Sequence, residues 1–124
     1  MSTQENVKEL ISLSVQGRFL EAIEKFYAGG ASMRENNQPP RVGLAALLEN
    51  ERRALAYMAR LNTRVVSQVV DGDRAAIHWI FEFTDPQGIR RRLDEIAYQL
   101  WRDGKIVEER FFYDPAQRST PLTD

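Results

Sequence analysis

Cysteine is absent from this 124-residue chain, and histidine occurs once, at His78. Without thiols the chain can form no disulfide, no redox dithiol motif and no cysteine nucleophile. A zinc site is not expected either, because a lone imidazole would have to be completed by carboxylates, which rarely hold zinc alone. The sequence therefore predicts a domain that is stabilised by its core and needs neither a metal nor a cofactor.

Neither sign of charge is in excess, since 17 Lys and Arg residues are balanced by 18 Asp and Glu residues. A nucleic-acid partner is not expected, because proteins that bind phosphate backbones carry a clear basic excess. Long apolar runs are missing as well, and the longest one near the N-terminus, residues 10–15, contains two serines. Neither a signal peptide nor a membrane span is expected, and the protein is predicted to be cytoplasmic.

The whole chain has the length of one domain. Helix signals concentrate in its first half. Ser2 is followed by a glutamate three residues later, the spacing of a capping box, and Gly17 separates this helix from a second one. Gly29 and Gly30 are predicted to end the second helix, because glycine adopts the left-handed conformation that follows many helices. A third helix is predicted over residues 44–61.

Strand signals dominate the second half, where valine-rich and alternating segments are separated by Asp-Gly turns. The predicted strands cover residues 31–35, 64–70, 75–84, 90–102 and 105–113. Helices followed by hairpin-linked strands indicate a single α+β domain over residues 1–114, with an antiparallel sheet that helices cover on one face. Residues 115–124 are predicted to form a loose C-terminal tail.

Three stretches match motifs of a known superfamily in order and spacing. They read FYAGGA at residues 26–31, PPRVGLAA at residues 39–46 and WRDGKIVE at residues 101–108. The chain thereby resembles the nuclear transport factor 2-like superfamily, in particular its SnoaL-like polyketide cyclase and ketosteroid-isomerase-like branches. The resemblance implies a cone-shaped, curved antiparallel sheet that wraps round the N-terminal helices and encloses an apolar pocket. Because this fold hosts many activities, it fixes no reaction.

Side-chain alternation along the strands indicates which residues line that pocket. In residues 75–84 the odd-numbered positions are all apolar and should face the helices, since alternate side chains lie on opposite faces. The resemblance places Trp101 inward, and alternation then assigns inward positions on neighbouring strands. The predicted ligand-binding residues are Met33, Trp79, Phe81, Glu95, Gln99, Trp101 and Phe111. Aromatic walls with a few polar groups are typical of a site for a small apolar molecule.

Glu35, Glu109 and Tyr113 are the candidate catalytic residues. The resemblance places Glu35, counted from Tyr27, where steroid isomerases have the base that moves a proton beside a carbonyl group. A carboxylate against aromatic walls should have a raised pKa, whereas the alternative interpretation makes Glu35 a rim residue paired with an arginine. Glu109 or Tyr113 would orient the substrate or donate a proton.

The same resemblance counts against steroid isomerisation itself. The two hydrogen-bond donors that would stabilise an oxyanion fall near Ile11 and Ala97, whose side chains cannot donate. A tyrosine elsewhere could replace them. Tyr113 has inward parity, whereas Tyr27 ends a helix and is expected to pack in the core.

Three further polar residues keep two interpretations each. Glu51 interrupts an apolar helix stripe, so it either points into the pocket or bridges to Arg64 or Arg91. His78 has outward parity and is expected at a subunit contact or in solvent rather than in catalysis. The resemblance makes Asp114 one candidate for the late acidic residue that serves as the base in SnoaL-like cyclases, but its parity is outward and it ends the strand, so Glu109 fits the geometry better.

The outward-facing positions of the last three strands predict a homodimer. The apolar residues among them are Ile80, Ile96, Tyr98, Leu100 and Phe112. An apolar patch of that kind seldom stays exposed in a monomer, and a two-fold sheet-to-sheet contact would cover it.

Three classes of function follow from the sequence. The first is a cofactor-free isomerase, cyclase or dehydratase that acts by acid–base chemistry on an apolar carbonyl compound. The second is a non-catalytic ligand-binding protein whose carboxylates are paired structurally. The third is a protein-interaction module with a filled interior. An unpaired carboxylate that faces a roomy cavity would favour the first class over the other two.

Overall fold

The computed structural model describes residues 1–123, and its first helices begin at the expected signals. Helix α1 spans Thr3–Val15. Ser2 and Glu5 form the predicted capping box: the Ser2 hydroxyl accepts from the Glu5 N–H, and the Glu5 carboxylate accepts from the Ser2 N–H, both at 3.1 Å. Helix α2 spans Phe19–Phe26 after a turn in which Gly17 has a φ of 81°, a conformation that favours glycine.

Strand β1 follows helix α2 directly, without the glycine cap that the sequence suggested. It spans Tyr27–Glu35, so Gly29 and Gly30 lie within the strand, and neither has a positive φ. The predicted helix end at this glycine pair is therefore wrong. The pairing of β1 with its parallel neighbour shifts register between Tyr27 and Ser32, and glycines in a strand often mark such an irregularity.

The segment after β1 contains a short strand that the sequence did not predict. This strand, β2, is Arg41–Val42 and pairs antiparallel with β1. Helix α3 spans Leu44–Tyr57 and ends before the predicted position at residue 61. No glycine or proline follows the end of helix α3, and for this reason the helical pattern predicted a longer helix. None of the helices in the described residues is both long and apolar enough to cross a membrane.

Four long strands, joined by hairpins, complete the sheet. They are β3 (Ala59–Asp71), β4 (Arg74–Thr84), β5 (Arg90–Arg102) and β6 (Lys105–Phe112). The order in the sheet is β2-β1-β6-β5-β4-β3. All neighbours are antiparallel except β1 and β6, which run parallel. The predicted α+β class is confirmed, while the expectation of a wholly antiparallel sheet is wrong for this pair.

The helices cover one face of the sheet and bury the apolar positions that alternation predicted. On β4, Ile77 is fully buried, and Trp79 and Phe83 are each 5 % exposed. Leu10 of α1 and Leu47 of α3 belong to the same core cluster. Burial of these side chains supplies the main stabilisation of the fold, because each contributes roughly 1.5–3 kcal/mol when it leaves water.

The opposite side of the sheet, here called the outer face, exposes fewer apolar residues than predicted. Ile96, Tyr98 and Phe112 are exposed, at 37, 43 and 42 %. Ile80 and Leu100 are buried within the monomer, so their prediction as exposed patch residues is wrong. Leu100 keeps its outward parity, since Gln99 and Trp101 on either side of it are buried on the inner face.

The C-terminal segment is attached to the sheet. Pro115–Arg118 form a short 3-10 helix whose N-terminus is capped by the Asp114 side chain. The Gln117 side chain hydrogen-bonds both backbone groups of Asp94, at 2.6 and 3.2 Å. Because β6 pairs only with the second half of β5, these bonds satisfy an otherwise open stretch of that strand. The prediction of a loose tail is wrong for these residues.

Candidate functional site

A cavity of about 400 Å³ lies between the three helices and the sheet. The rings of Trp79 and Phe81 stack on its sheet side, with centroids 5.6 Å apart and an interplanar angle of 18°. Phe19 of helix α2 lies tilted against Phe81 at 6.4 Å, and Tyr57 of helix α3 meets Phe83 edge-on at 6.2 Å. The volume and the aromatic walls suit a small organic molecule.

Eight of the ten predicted site residues line this cavity. They are Met33, Glu35, Trp79, Phe81, Glu95, Gln99, Glu109 and Phe111. The alternation rule located the residues of β4 and β5 because these two strands pair in unbroken register from end to end. Trp101 and Tyr113 lie outside the lining.

Trp101 is buried in the core and does not form a wall of the cavity. Its indole packs edge-on against Phe26 of helix α2, with centroids 5.8 Å apart, so the prediction that it contacts a ligand is wrong. The Trp101 side chain points inward as predicted, but this end of strand β5 lies under helix α2. The indole Nε1 donates to the Gln99 Oε1 at 2.9 Å. Trp101 therefore reaches the cavity only through the Gln99 amide.

Glu109 is held by two hydrogen-bond donors inside the cavity. The Tyr27 hydroxyl donates to one carboxylate oxygen, and the Gln99 Nε2 donates to the other at 2.6 Å. Burial raises the pKa of Glu109 to about 7, although both hydrogen bonds lower it. A carboxyl group with a pKa near neutrality can take up and release a proton under physiological conditions.

Glu95 faces the cavity without a hydrogen-bond donor from any of residues 1–123. It is the cross-strand partner of Trp79 and is 7 % exposed. Burial raises the pKa of Glu95 to about 8, and the negative charges of Glu109 and Glu35 add to this rise. At neutral pH the Glu95 carboxyl is therefore mostly protonated, and its O–H is free to donate to a bound molecule.

Glu51 enters the cavity from helix α3. Burial raises its pKa to about 7. The interpretation that Glu51 bridges to Arg64 or Arg91 is wrong, because those arginines have other acidic partners, Glu82 and Asp85. The alternative, that Glu51 interrupts the apolar stripe in order to face the pocket, agrees with its position in the lining.

Glu35 lies at the rim of the cavity and is surrounded by donors. One carboxylate oxygen accepts from the Tyr113 hydroxyl at 2.7 Å and from Arg118 at 3.0 Å, and the other accepts from Arg41 at 3.1 Å. Partial burial raises its pKa, but these hydrogen bonds and charges together lower it below the usual value. The expectation of a raised pKa for Glu35 is therefore wrong, and the rim interpretation describes its contacts.

Three other polar residues considered from the sequence have partners outside the cavity. Arg91 pairs with the buried Asp85, with its Nε 3.1 Å from the Oδ2. His78 pairs with Asp94 on the outer face, as its parity predicted, at 2.6 Å. Asp114 caps the C-terminal 3-10 helix. None of these three side chains contributes to the cavity lining.

Sequence reasoning missed several residues of the site, among them Tyr27 and Arg118. Tyr27 is 7 % exposed and donates to Glu109. A signal was available, because a buried tyrosine hydroxyl usually requires a polar partner. Arg118 lies in the segment predicted to be a loose tail, and no local pattern indicates that it reaches Glu35.

The arrangement places proton donors and acceptors beside aromatic walls. Glu109 offers an ordered carboxyl group, and Glu95 offers a carboxyl group that holds its proton to higher pH. Within residues 1–123, no three His, Cys, Asp or Glu side chains converge closely enough to hold a metal ion. The residues present are those of general acid–base chemistry.

Residues 7–109 match the profile of the SnoaL-like domain family. A Mesorhizobium loti structure assigned as a SnoaL-like polyketide cyclase is 28 % identical; the match covers 91 % of this chain and 100 % of that one, with a TM-score of 0.75. A second protein so assigned, from Jannaschia sp. CCS1, is 18 % identical over 98 % of this chain and 95 % of its own, with a TM-score of 0.81.

A nuclear transport factor 2-like protein of unknown function from Burkholderia pseudomallei shows the same fold. It is 14 % identical over 98 % of this chain and 97 % of its own, with a TM-score of 0.83. Among curated proteins, none matches this sequence closely enough to count as a relative. The predicted fold, a curved sheet wrapped round N-terminal helices, is confirmed by these likenesses.

Proposed function

Since the chain belongs to the SnoaL-like domain family of the nuclear transport factor 2-like superfamily, we propose that it binds and transforms a small, largely apolar carbonyl compound. The proposed chemistry is an isomerisation, cyclisation or dehydration that the protein's own carboxyl groups catalyse. One observation carries the proposal: two buried carboxyl groups with pKa values near neutrality, Glu95 and Glu109, face a cavity with aromatic walls.

The two carboxyl groups suit different roles. Two donors hold Glu109 and favour its ionised form, so it is the proposed base that removes a proton from the carbon beside the carbonyl. The freed electron pair moves onto the carbonyl oxygen, which receives a hydrogen bond or the proton from Glu95. Glu109 then gives its proton to another carbon in an isomerisation, or to a β-hydroxyl group that leaves as water in a dehydration. In a cyclisation the enolate carbon attacks a second carbonyl group, whose oxygen takes up that proton.

The positions of the two groups on the sheet support this division. Glu109 is the cross-strand partner of Gln99, and Gln99 and Glu95 lie on the same face of strand β5. Both carboxyl groups therefore border one stretch of the cavity. Glu35, the base expected from the resemblance, is a weaker candidate because its lowered pKa makes it a poor proton acceptor.

Ligand binding and proton transfer are separable in one set of experiments. Quenching of Trp79 fluorescence by planar apolar carbonyl compounds would identify ligands. Exchange of their α-protons in deuterium oxide, followed by mass spectrometry, would then report proton abstraction. We expect saturable quenching by wild type, Glu95→Gln and Glu109→Gln, with α-proton exchange reduced at least 100-fold in Glu109→Gln, the low end for loss of a general base.

The matched control is Glu82→Gln, which changes a glutamate of strand β4 that does not line the cavity. Exchange that persists in Glu109→Gln at the rate seen in the control would contradict the assignment of the base. Binding without exchange in wild type would leave a ligand-binding protein, which was the second class considered. Absence of quenching by every compound would contradict the pocket function itself.

We also propose that the outer face forms the contact of a homodimer. Ile96, Tyr98 and Phe112 are exposed there, and Arg110 lies over the Phe112 ring at 4.6 Å. Such a face, with rings and guanidinium groups side by side, can pair with a two-fold copy of itself. Light scattering at micromolar concentration should give the mass of a dimer, and Tyr98→Glu should give that of a monomer. A monomeric wild type would contradict this proposal.

A further inference from the structure

The opening of the cavity is lined by guanidinium groups. The four arginines that border it are Arg41, Arg53, Arg92 and Arg118; we call them the arginine ring. Their side chains are 40, 75, 45 and 57 % exposed, which places them at the solvent end of the cavity. The buried charged residues of the lining, by contrast, are glutamates. Cationic groups at the opening and acidic groups inside thus divide the cavity into two zones.

The arginine ring is not neutralised by its acidic partners. Glu35 is shared by Arg41 and Arg118, with contacts of 3.1 and 3.0 Å, so two positive charges meet one negative charge. The other two ring arginines have the same two-to-one ratio: Arg92 shares Glu82 with Arg64, and Arg53 shares Glu49 with Arg52. Each of these three groups keeps one uncompensated positive charge at the surface.

We propose that the arginine ring is a binding subsite for an anionic group, so that the ligand of the cavity is an amphiphile with an apolar body and a carboxylate, sulfonate or phosphate at its outer end. This inference deepens the proposed function, since it concerns the same cavity. It adds a charged group to the ligand and fixes the direction in which the ligand lies.

Guanidinium groups suit this role because their planar array of donors matches the oxygens of carboxylate, sulfonate and phosphate groups. The apolar body fits the other end, where the stacked rings of Trp79 and Phe81 form the wall. The inner glutamates oppose the reverse orientation, because an anion among buried carboxyl groups would be desolvated and repelled. At the opening, by contrast, an anion stays partly solvated and lies beside the exposed guanidinium groups.

Two fluorescent probes with the same aromatic body test the inference. Anilinonaphthalene sulfonate carries a negative charge, and phenylnaphthylamine is its neutral counterpart. We expect the sulfonate probe to bind about tenfold more tightly at low salt, the value of one good charge-assisted contact. The difference should shrink strongly between about 0.01 M and about 0.5 M salt, because partly exposed charges are screened.

Arg92→Gln and Arg118→Gln should each weaken binding of the sulfonate probe several-fold and leave the neutral probe unchanged. Both variants are mild, because Arg64 still pairs with Glu82 and Arg41 still pairs with Glu35. The control is Arg102→Gln, which removes an exposed guanidinium group at the end of strand β5, outside the cavity lining. It removes the same net charge and should change the affinity of neither probe.

The outcomes separate this inference from the proposed function. Equal affinity of the two probes at low salt would overturn the anionic subsite and leave the cavity as a ligand site. An equal loss in Arg92→Gln and Arg102→Gln would also overturn it, since net charge alone would then explain the preference. Binding of neither probe would count against the anionic subsite and against the ligand-binding cavity together.

Discussion

The replacement Glu95→Gln should stabilise the protein at alkaline pH and leave its stability unchanged in acid. The Glu95 carboxyl has a pKa of about 8 in the folded protein and 4.5 in the unfolded chain, mainly because burial disfavours its charged form. Between these values the native state holds a proton that the unfolded state has lost. The free energy of unfolding of the wild type therefore falls as pH rises from 4.5 to 8. Glutamine has no such titration.

The size of the effect follows from the pKa difference. Each pH unit between 4.5 and 8 removes about 1.4 kcal/mol, and the whole interval removes about 5 kcal/mol if the carboxylate stays buried. Water that enters the cavity solvates the ion, so we expect a difference between variant and wild type of about 2 to 5 kcal/mol above pH 8.

Urea denaturation at pH 4.5, 6.5 and 8.5 would measure this difference, with the buried Trp79 and Trp101 as fluorescent reporters. Protein concentration must be held constant, because association would add to the apparent stability. The pH dependence of the difference in unfolding free energy between variant and wild type reports Glu95, because the other glutamates titrate in both proteins.

A difference in unfolding free energy that is the same at all three pH values would refute the reasoning, since it would mean that Glu95 titrates normally in the folded protein. Glu82→Gln is the control for a general effect of removing a carboxylate. Glu82 is partly exposed and pairs with two arginines, so its loss should reduce stability by less than about 1 kcal/mol.

Three further predictions follow from the contacts described above. Trp101→Phe removes the hydrogen bond that holds the Gln99 amide, and the Gln99 amide in turn donates to Glu109. Because a weaker bond to Glu109 raises its pKa, the pH midpoint of α-proton exchange should rise by up to about 1 unit, with affinity for the neutral probe unchanged. Deletion of residues 115–124 removes Arg118 and the hydrogen bonds to β5, and should lower the urea-derived stability by about 1–3 kcal/mol. Ile77→Ala leaves a void in a fully buried site and should reduce stability by about 2–5 kcal/mol, whereas Ile77→Val should cost about 1 kcal/mol.

Most of the sheet and the wall of the cavity could be predicted from the sequence, because strands β4 and β5 combine clear alternation with unbroken pairing. Trp79 and Phe81 were located in this way. The method failed where a local signal was missing or had a second meaning. Gly29 and Gly30 resemble a helix cap but lie in a strand, and the end of helix α3 has no breaking residue.

The ionisation of the site could not be read from the sequence, because it depends on partners that are distant along the chain. Glu35 has a lowered pKa in part because Arg118, 83 residues away, reaches it from the C-terminal segment. Glu109 is ordered by Tyr27, 82 residues away. Alternation predicts which face of the sheet a glutamate occupies, whereas its proton affinity is set by donors that only the complete fold brings near.

The parallel pairing of β1 with β6 has a consequence for how the chain folds during synthesis. Strand β1 leaves the ribosome early, but the edge that it shares with β6 stays unpaired until the last strand has been made. The contact that orders Glu109 joins these same two strands, so the interior is complete only after strand β6 has been made. Folding that waits for such distant pairing is slow, and nascent chains would expose the apolar face of β1 to chaperones in the meantime.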